Sequence, residues 1–264
     1  MKIISFFLVL SCFFSLRANL SIEGSYQGKN LYVQNPEDEA GFGYCATKVT
    51  VNGDIMPGGV SRTAFEIDFS LFNIKVGDPV FIVIEHNDGC VPKILNPEVL
   101  LPRSTFKVTE MKISDDHILK WTTVEEQGKL PYIIEQYRWH KWINAGIVAG
   151  EGTAGPNDYK FEIIPHSGEN KIRVVQIDHS GTKKKSDEIV FDSGLPEVSM
   201  TPKKVKTEIK FTANGQPAET RYEIYDAYGN IVKKGYASSV NCENLRNGAY
   251  YINFDNTNEK FIKG

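Results

Sequence analysis

The sequence predicts an all-β protein: three consecutive β-sandwiches following a secretory signal peptide. Three observations carry this. Helical periodicity is almost absent, while apolar and polar residues alternate with a period of two through most of the chain, the spacing that turns one face of a strand inward. Turn signals such as Asn52-Gly53, Asn87-Asp88-Gly89 and Gly150-Glu151-Gly152 cut that alternation into short pieces. The composition of the 264 residues (41% apolar, 24% charged, 11% aromatic) suits folded domains and excludes a disordered or collagen-like chain. A formal charge of −3 gives no general pull towards nucleic acid, and no nucleic-acid partner is expected.

Residues 1–18 read as the signal peptide. Lys2 supplies the basic start, 3–16 the apolar run, and Ala18 the small residue before cleavage. A membrane-spanning helix would need about 20 apolar residues, and Arg17 interrupts too early. Val9-Leu10-Ser11-Cys12 faintly matches a lipoprotein box, but attachment at Cys12 would strand Phe13 and Phe14 outside the signal.

The first sandwich is predicted over 19–103. Lys48-Val49-Thr50-Val51 runs into the Asn52-Gly53 hairpin signal, and Phe65, Ile67 and Phe69 alternate with polar neighbours. Val80 to Ile84 is a continuous apolar run, read as a strand buried on both faces. Pro92, Pro97 and Pro102 mark an irregular or edge-like stretch.

The second sandwich, with a linker, covers 104–195. Its strands are expected at 105–111, 117–123, 131–137, 143–149, 158–164, 170–178 and 186–191, a count and spacing of the immunoglobulin or fibronectin type. Asp192-Ser193-Gly194-Leu195-Pro196 forms the linker. The tail, 196–264, carries strands near 205–212, 220–226, 230–238, 240–242, 248–254 and 259–263, with a hairpin turn at Asp226–Asn230. A segment this short is near the lower limit for an independent core, so it should be only marginally stable alone. It holds ten Lys/Arg against eight Asp/Glu, a mildly basic tail on an acidic body.

No constellation of residues announces an active site. There is no G-x-S-x-G, and the five histidines (86, 117, 140, 166 and 179) fall near turns or strand ends, where solvated histidines sit. There is no C-x-x-C and no H-E-x-x-H. The acidic loop Asn35, Glu37, Asp38 and Glu39 lacks the spacing of a calcium loop and reads as solvated. Glu125-Glu126 and Asp115-Asp116 would point to opposite faces of a strand, so neither is an acid/base dyad. No enzyme activity, cofactor or metal is expected.

Two features remain open. Tyr137-Arg138-Trp139-His140-Lys141-Trp142 is either a ligand loop, with Tyr137, Trp139 and His140 contacting a glycan or protein, or a segment whose Trp142 is core and whose Trp139 alone is exposed. Cys45 and Cys90, each beside a turn, are either free buried thiols or a disulfide; Cys242 reads as a small buried apolar residue.

The tail resembles a known family. Arg221-Tyr-Glu-Ile-Tyr-Asp-Ala-Tyr-Gly-Asn-Ile-Val232, then Asn244-Leu-Arg-Asn-Gly-Ala-Tyr-Tyr-Ile-Asn-Phe254, then Glu259-Lys-Phe-Ile-Lys263 is similar to the C-terminal sorting domain of the type IX (Por) secretion system of Bacteroidetes. The usual Pro-Asn-Pro appears only as Thr201-Pro202-Lys203, and Gly264 follows the last Lys. Leu119–Glu126, Tyr132–Glu135 and Ile172–Asp178 resemble the fibronectin-like module that often precedes such tails, which implies that Trp121 and Trp142 are core. Gln27–Pro36, Gly43–Ala46 and Glu85–Cys90 resemble a carboxypeptidase-regulatory-type sandwich. Together the parts resemble the PorA-like proteins.

The resemblance implies a non-enzymatic exported protein. It would cross the periplasm, be read by the type IX translocon and its signal-sensing components, and end at the outer-membrane surface or outside the cell, with lipopolysaccharide attachment after tail cleavage. It assigns sorting and recognition to Tyr225, Asp226, Gly229, Leu245, Gly248, Tyr250, Lys260, Phe261, Ile262 and Lys263. The expected docking surface is the exposed edge of the terminal strand.

Overall fold

The computed structural model describes residues 18–39 and 41–264. The predicted signal peptide lies outside the described residues, except that Ala18 opens the first strand. The structure is nearly all β, with two short 3-10 turns at Phe69–Leu71 and Pro97–Leu100. The chain divides into two compact units, Met1–Pro102 and Arg103–Gly264, and holds three separate apolar cores, two of them in the second unit.

The first unit contains β1 (Ala18–Ser25), β2 (Leu31–Gln34), β3 (Ala46–Val51), β4 (Asp54–Ile55), β5 (Ala64–Ile67), β6 (Pro79–His86) and β7 (Lys93–Ile94). One sheet runs β1-β6-β3-β4 and the other β5-β2-β7. Side chains alternate as the pleat demands, so Leu31, Val33, Phe65 and Ile67 meet Val49, Val51, Ile82 and Ile84 in one core. The expectation for Val80 to Ile84 is corrected here: Val80, Ile82 and Ile84 are buried, but Phe81 is 44% exposed. The strand is central in its sheet, yet only one of its faces meets the second sheet. Gly24 lies so close to Leu100 that a Cβ would stand 2.5 Å from the Leu100 Cβ, leaving no room for a side chain. Cys45 and Cys90 form a disulfide with their Cα atoms 5.8 Å apart. The solvated reading of the acidic loop is corrected at Asn35, which is buried: its amide donates to the carbonyls of Val60 and Arg62 and its oxygen accepts from the Ala46 amide, while Glu37 and Glu39 are exposed.

The second unit begins with a module of eight strands: β8 (Lys107–Ile113), β9 (Ile118–Val124), β10 (Tyr132–Arg138), β11 (Lys141–Val148), β12 (Asn157–Glu162), β13 (Glu169–Ile177), β14 (Lys183–Lys185) and β15 (Ile189–Asp192). β15 answers to the strand expected at 186–191, and β14 is a short additional strand before it. The sheets are β12-β9-β8 and β11-β10-β13 with β14 and β15 both on β13, the arrangement of a fibronectin-type sandwich. Trp121 stacks on Tyr159 and meets Tyr132 edge-on, in the core. Beside them Glu126 is fully buried. Its carboxylate accepts from the hydroxyls of Thr123, Tyr132 and Tyr159 and from the Gly152 amide, so its charge is met by four donors. Burial raises both tyrosines well above the ordinary phenol range.

The tail contains β16 (Ser199–Thr201), β17 (Lys204–Val205), β18 (Glu208–Ala213), β19 (Gln216–Pro217), β20 (Thr220–Tyr225), β21 (Ile231–Ala237), β22 (Ser239–Asn241), β23 (Gly248–Phe254) and β24 (Thr257–Lys263). One sheet places β16, β19 and β22 around β18; the other runs β17-β24-β23-β20-β21. Phe211, Ile224, Ile252, Phe254 and Phe261 fill the core between them, with Cys242 buried among them.

Candidate functional site

The end of the terminal strand is not an open edge. β24 pairs antiparallel with β23 along its whole length, and its last residues also pair with β17, Lys204 opposite Ile262 and Val205 opposite Lys263. The amides of Ile262 and Gly264 donate to the carbonyls of Lys203 and Val205. The expectation of a docking edge at Phe261–Lys263 is therefore corrected: a parallel strand from the start of the tail caps the end of the chain. The open edge of this sheet is β21, whose residues are almost all exposed.

The residues assigned to recognition fall into three groups. Tyr250 and Phe261 are core: their rings stack at 5.4 Å, and the Tyr250 hydroxyl donates to the Arg246 carbonyl. Leu245 packs against the same core, and Lys263 is buried with its Nζ donating to the Gly264 carbonyl. Asp226 and Gly229 build the β20–β21 turn. Asp226 accepts from the amides of Tyr228 and Asn230, and Gly229 takes φ +86°, a conformation natural only to glycine. Gly248 opens β23. Of the ten, Gly229, Gly248, Lys260 and Ile262 are exposed, and Tyr225 and Asp226 are half-buried. The motif thus chiefly specifies a fold.

The aromatic segment has a different role from either expectation. Trp139 and His140 form a two-residue hairpin turn between β10 and β11, both with positive φ (54° and 59°). Such turns favour Asn and Gly, so a bulky Trp there is unusual. Trp139 is buried (7% exposed) against the tail. Its indole N–H donates to the Asp255 carbonyl at 3.0 Å, and its amide to the Asn256 side chain at 3.3 Å. The reading that leaves Trp139 exposed and Trp142 in the core is corrected: Trp142 is half-buried, flanked by Tyr137 and covered by Arg173, whose guanidinium carbon lies 3.8 Å from the ring centroid. Tyr137 is half-buried and His140 exposed.

Residues that sequence reasoning missed complete the junction. Alternation along β10 turns Tyr132, Ile134, Gln136 and Arg138 inward, so Arg138 stands where the module's core meets the tail. Its guanidinium is 1% exposed and donates to the carbonyls of Ile164 and Asp255. Burial pulls it down to about 10, with Arg221 acting in the same direction. It remains charged at neutral pH. Asp255, in the β23–β24 turn, is buried, and its carboxylate accepts from the Ser167 amide, the Ser167 hydroxyl and the Val198 amide. Lys141 reaches both the Glu223 carboxylate and the Tyr225 hydroxyl at 2.9 Å, and Arg221 donates to the Asn144 carbonyl at 3.1 Å. His166 is also buried here, not solvated as expected; burial lowers its basicity, and both ring nitrogens face carbonyl oxygens, of Ser167 and Tyr137. His86 is likewise buried, in the first unit. Among the described residues, no group of three or more His, Cys, Asp or Glu is placed to hold a metal ion.

Comparison with known proteins bears on the tail most directly. Residues 201–264 match the family model described as a secretion system C-terminal sorting domain. No curated protein matches the chain. Among solved structures, dimeric latent PorU from Porphyromonas gingivalis is 11% identical with a TM-score of 0.25, the match covering 93% of this chain and 31% of PorU. The chicken CNTN1 FN1-FN3 domains are 14% identical (TM-score 0.23; 94% and 95% covered). A tetra-tandem repeat from the extending region of a large adhesion protein is 12% identical (TM-score 0.30; 94% and 80% covered). The chain therefore spans about a third of the length of PorU. Residues 201–264 are a Por-type secretion system C-terminal sorting domain, a domain that implies export to the cell surface or the extracellular space.

Proposed function

We propose that this is a non-enzymatic exported protein whose tail is read by the type IX translocon and which supports or signals the state of that system at the cell surface. The observation that carries this reading is the sorting-domain match over 201–264, which spans most of a folded sandwich with its own core. On this reading residues 1–18 direct passage of the inner membrane, and the tail directs passage of the outer one. Removal of the tail would then precede attachment to surface lipopolysaccharide. The alternative, a surface ligand module working through Tyr137–Trp142, is disfavoured because Trp139 and Arg138 are buried against the tail.

The intact mass of the chain recovered from outside the cell tests the proposal. It should lack residues 1–18 and the tail, and carry the added mass of a glycolipid. An unprocessed chain of 264 residues outside the cell would contradict it.

A further inference from the structure

Two observations at the module–tail junction point beyond sorting. The first is the Trp139-His140 turn, where a bulky aromatic holds a backbone conformation that Asn or Gly would adopt more readily. Its side chain contributes nothing to the module's own core, yet it is buried, and its polar contacts go to Asp255 and Asn256 of the tail. The second is the asymmetry between linker and junction. Gly194, Leu195, Pro196 and Glu197 are all exposed, whereas Arg138, Trp139, His166 and Asp255 are all buried. The covalent connection is the accessible part, and the non-covalent contact is the protected one.

We propose that the 138–142 turn, with Ser167, is a receptor for the acidic Asp255–Asn256 turn of the tail, and that it keeps the tail docked after the linker is cut. The partner it fits is a two-residue acidic β-turn. Trp139 and Arg138 hold the Asp255 carbonyl, Ser167 holds the Asp255 carboxylate, and Lys141 holds Glu223 beside it. Cleavage of the chain and release of the tail are then separate events, and release requires this contact to open. The inference concerns the chain itself and stands whichever machine reads the tail.

The test is to place a thrombin site at Leu195–Glu197 of the otherwise intact protein, cut it, and run the product on gel filtration at micromolar concentration. Both pieces should elute together. Elution as two separate species would overturn the proposal. A buried Trp at the centre of an interface is the residue type whose truncation costs most, so Trp139→Ala should weaken retention about 30-fold or more. Asp255→Asn, which preserves shape and removes the charge, serves if Trp139→Ala does not fold, and should weaken retention about tenfold. Retention of the tail as tight as in the unsubstituted protein, in a folded variant of either kind, would also overturn it.

Discussion

The N-terminal sandwich and the sorting tail are both small β-sandwiches, and they are secured in different ways. The first is stapled within itself by Cys45–Cys90, across a sequence separation of 45 residues. The tail has no disulfide, its one cysteine being free and buried, and it is held from outside by the turn of the neighbouring module. A disulfide limits the unfolded chain permanently in an oxidising compartment. A docked turn stabilises the tail only while the contact lasts. On the proposed reading, in which the tail is removed, the second arrangement serves it better.

The largest expected effect comes from breaking the first of these. Replacing Cys45 and Cys90 together with Ala should destabilise the N-terminal unit by roughly 4 kcal/mol in the loop-entropy picture. Calorimetry should show one transition lowered and the transition of the 103–264 unit in place. A joint shift of both would mean that the two units are not separate in energy.

Next come the two faces of the terminal strand. Phe261→Ala removes a ring that is 1% exposed and should cost about 3–4 kcal/mol in urea unfolding. Ile262→Ala, at 42% exposure on the opposite face, should cost less than about 1 kcal/mol. Similar costs at both positions would contradict the register of β24 against β23.

A smaller effect should follow pH at the junction. Burial holds His166 below its ordinary basicity, so the unfolded chain binds a proton more readily than the folded one. The stability this gives is present above the unfolded value of about 6.5 and is lost as pH falls below it. The melting point of the 103–264 unit should therefore drop further between pH 7.5 and 5.5 in the native chain than in His166→Asn. Equal drops would remove His166 from the account. The smallest effect is expected from Lys141→Ala, because its pair with Glu223 is partly exposed; about 0.5 kcal/mol is the scale.

Much of this architecture was legible in the sequence because strands announce themselves locally. The alternation at Tyr250, Ile252 and Phe254 survives intact as a buried row, and Asp226–Asn230 forms the turn its residues demand. Pairing across long separations was not legible. Nothing near Ile262 indicates that Lys204 will lie beside it, and so the terminal strand read as an edge. The same limit hid the junction. Arg138 and Asp255 are 117 residues apart, and each alone reads as an ordinary charged residue at a strand end. The one local signal was the Trp-His pair at a two-residue hairpin turn, where chemistry favours Asn-Gly. A misfit at a turn is a reason to look for something outside the hairpin that holds it.

The central claim is that the tail is what carries this protein across the outer membrane. The direct measurement is the fraction of the protein found outside that membrane, for the full chain and for a chain ending at Leu195, with circular dichroism confirming that the shortened chain is folded. The account predicts export of the full chain and periplasmic retention of the folded, shortened one. Equal appearance of both outside the cell would contradict it.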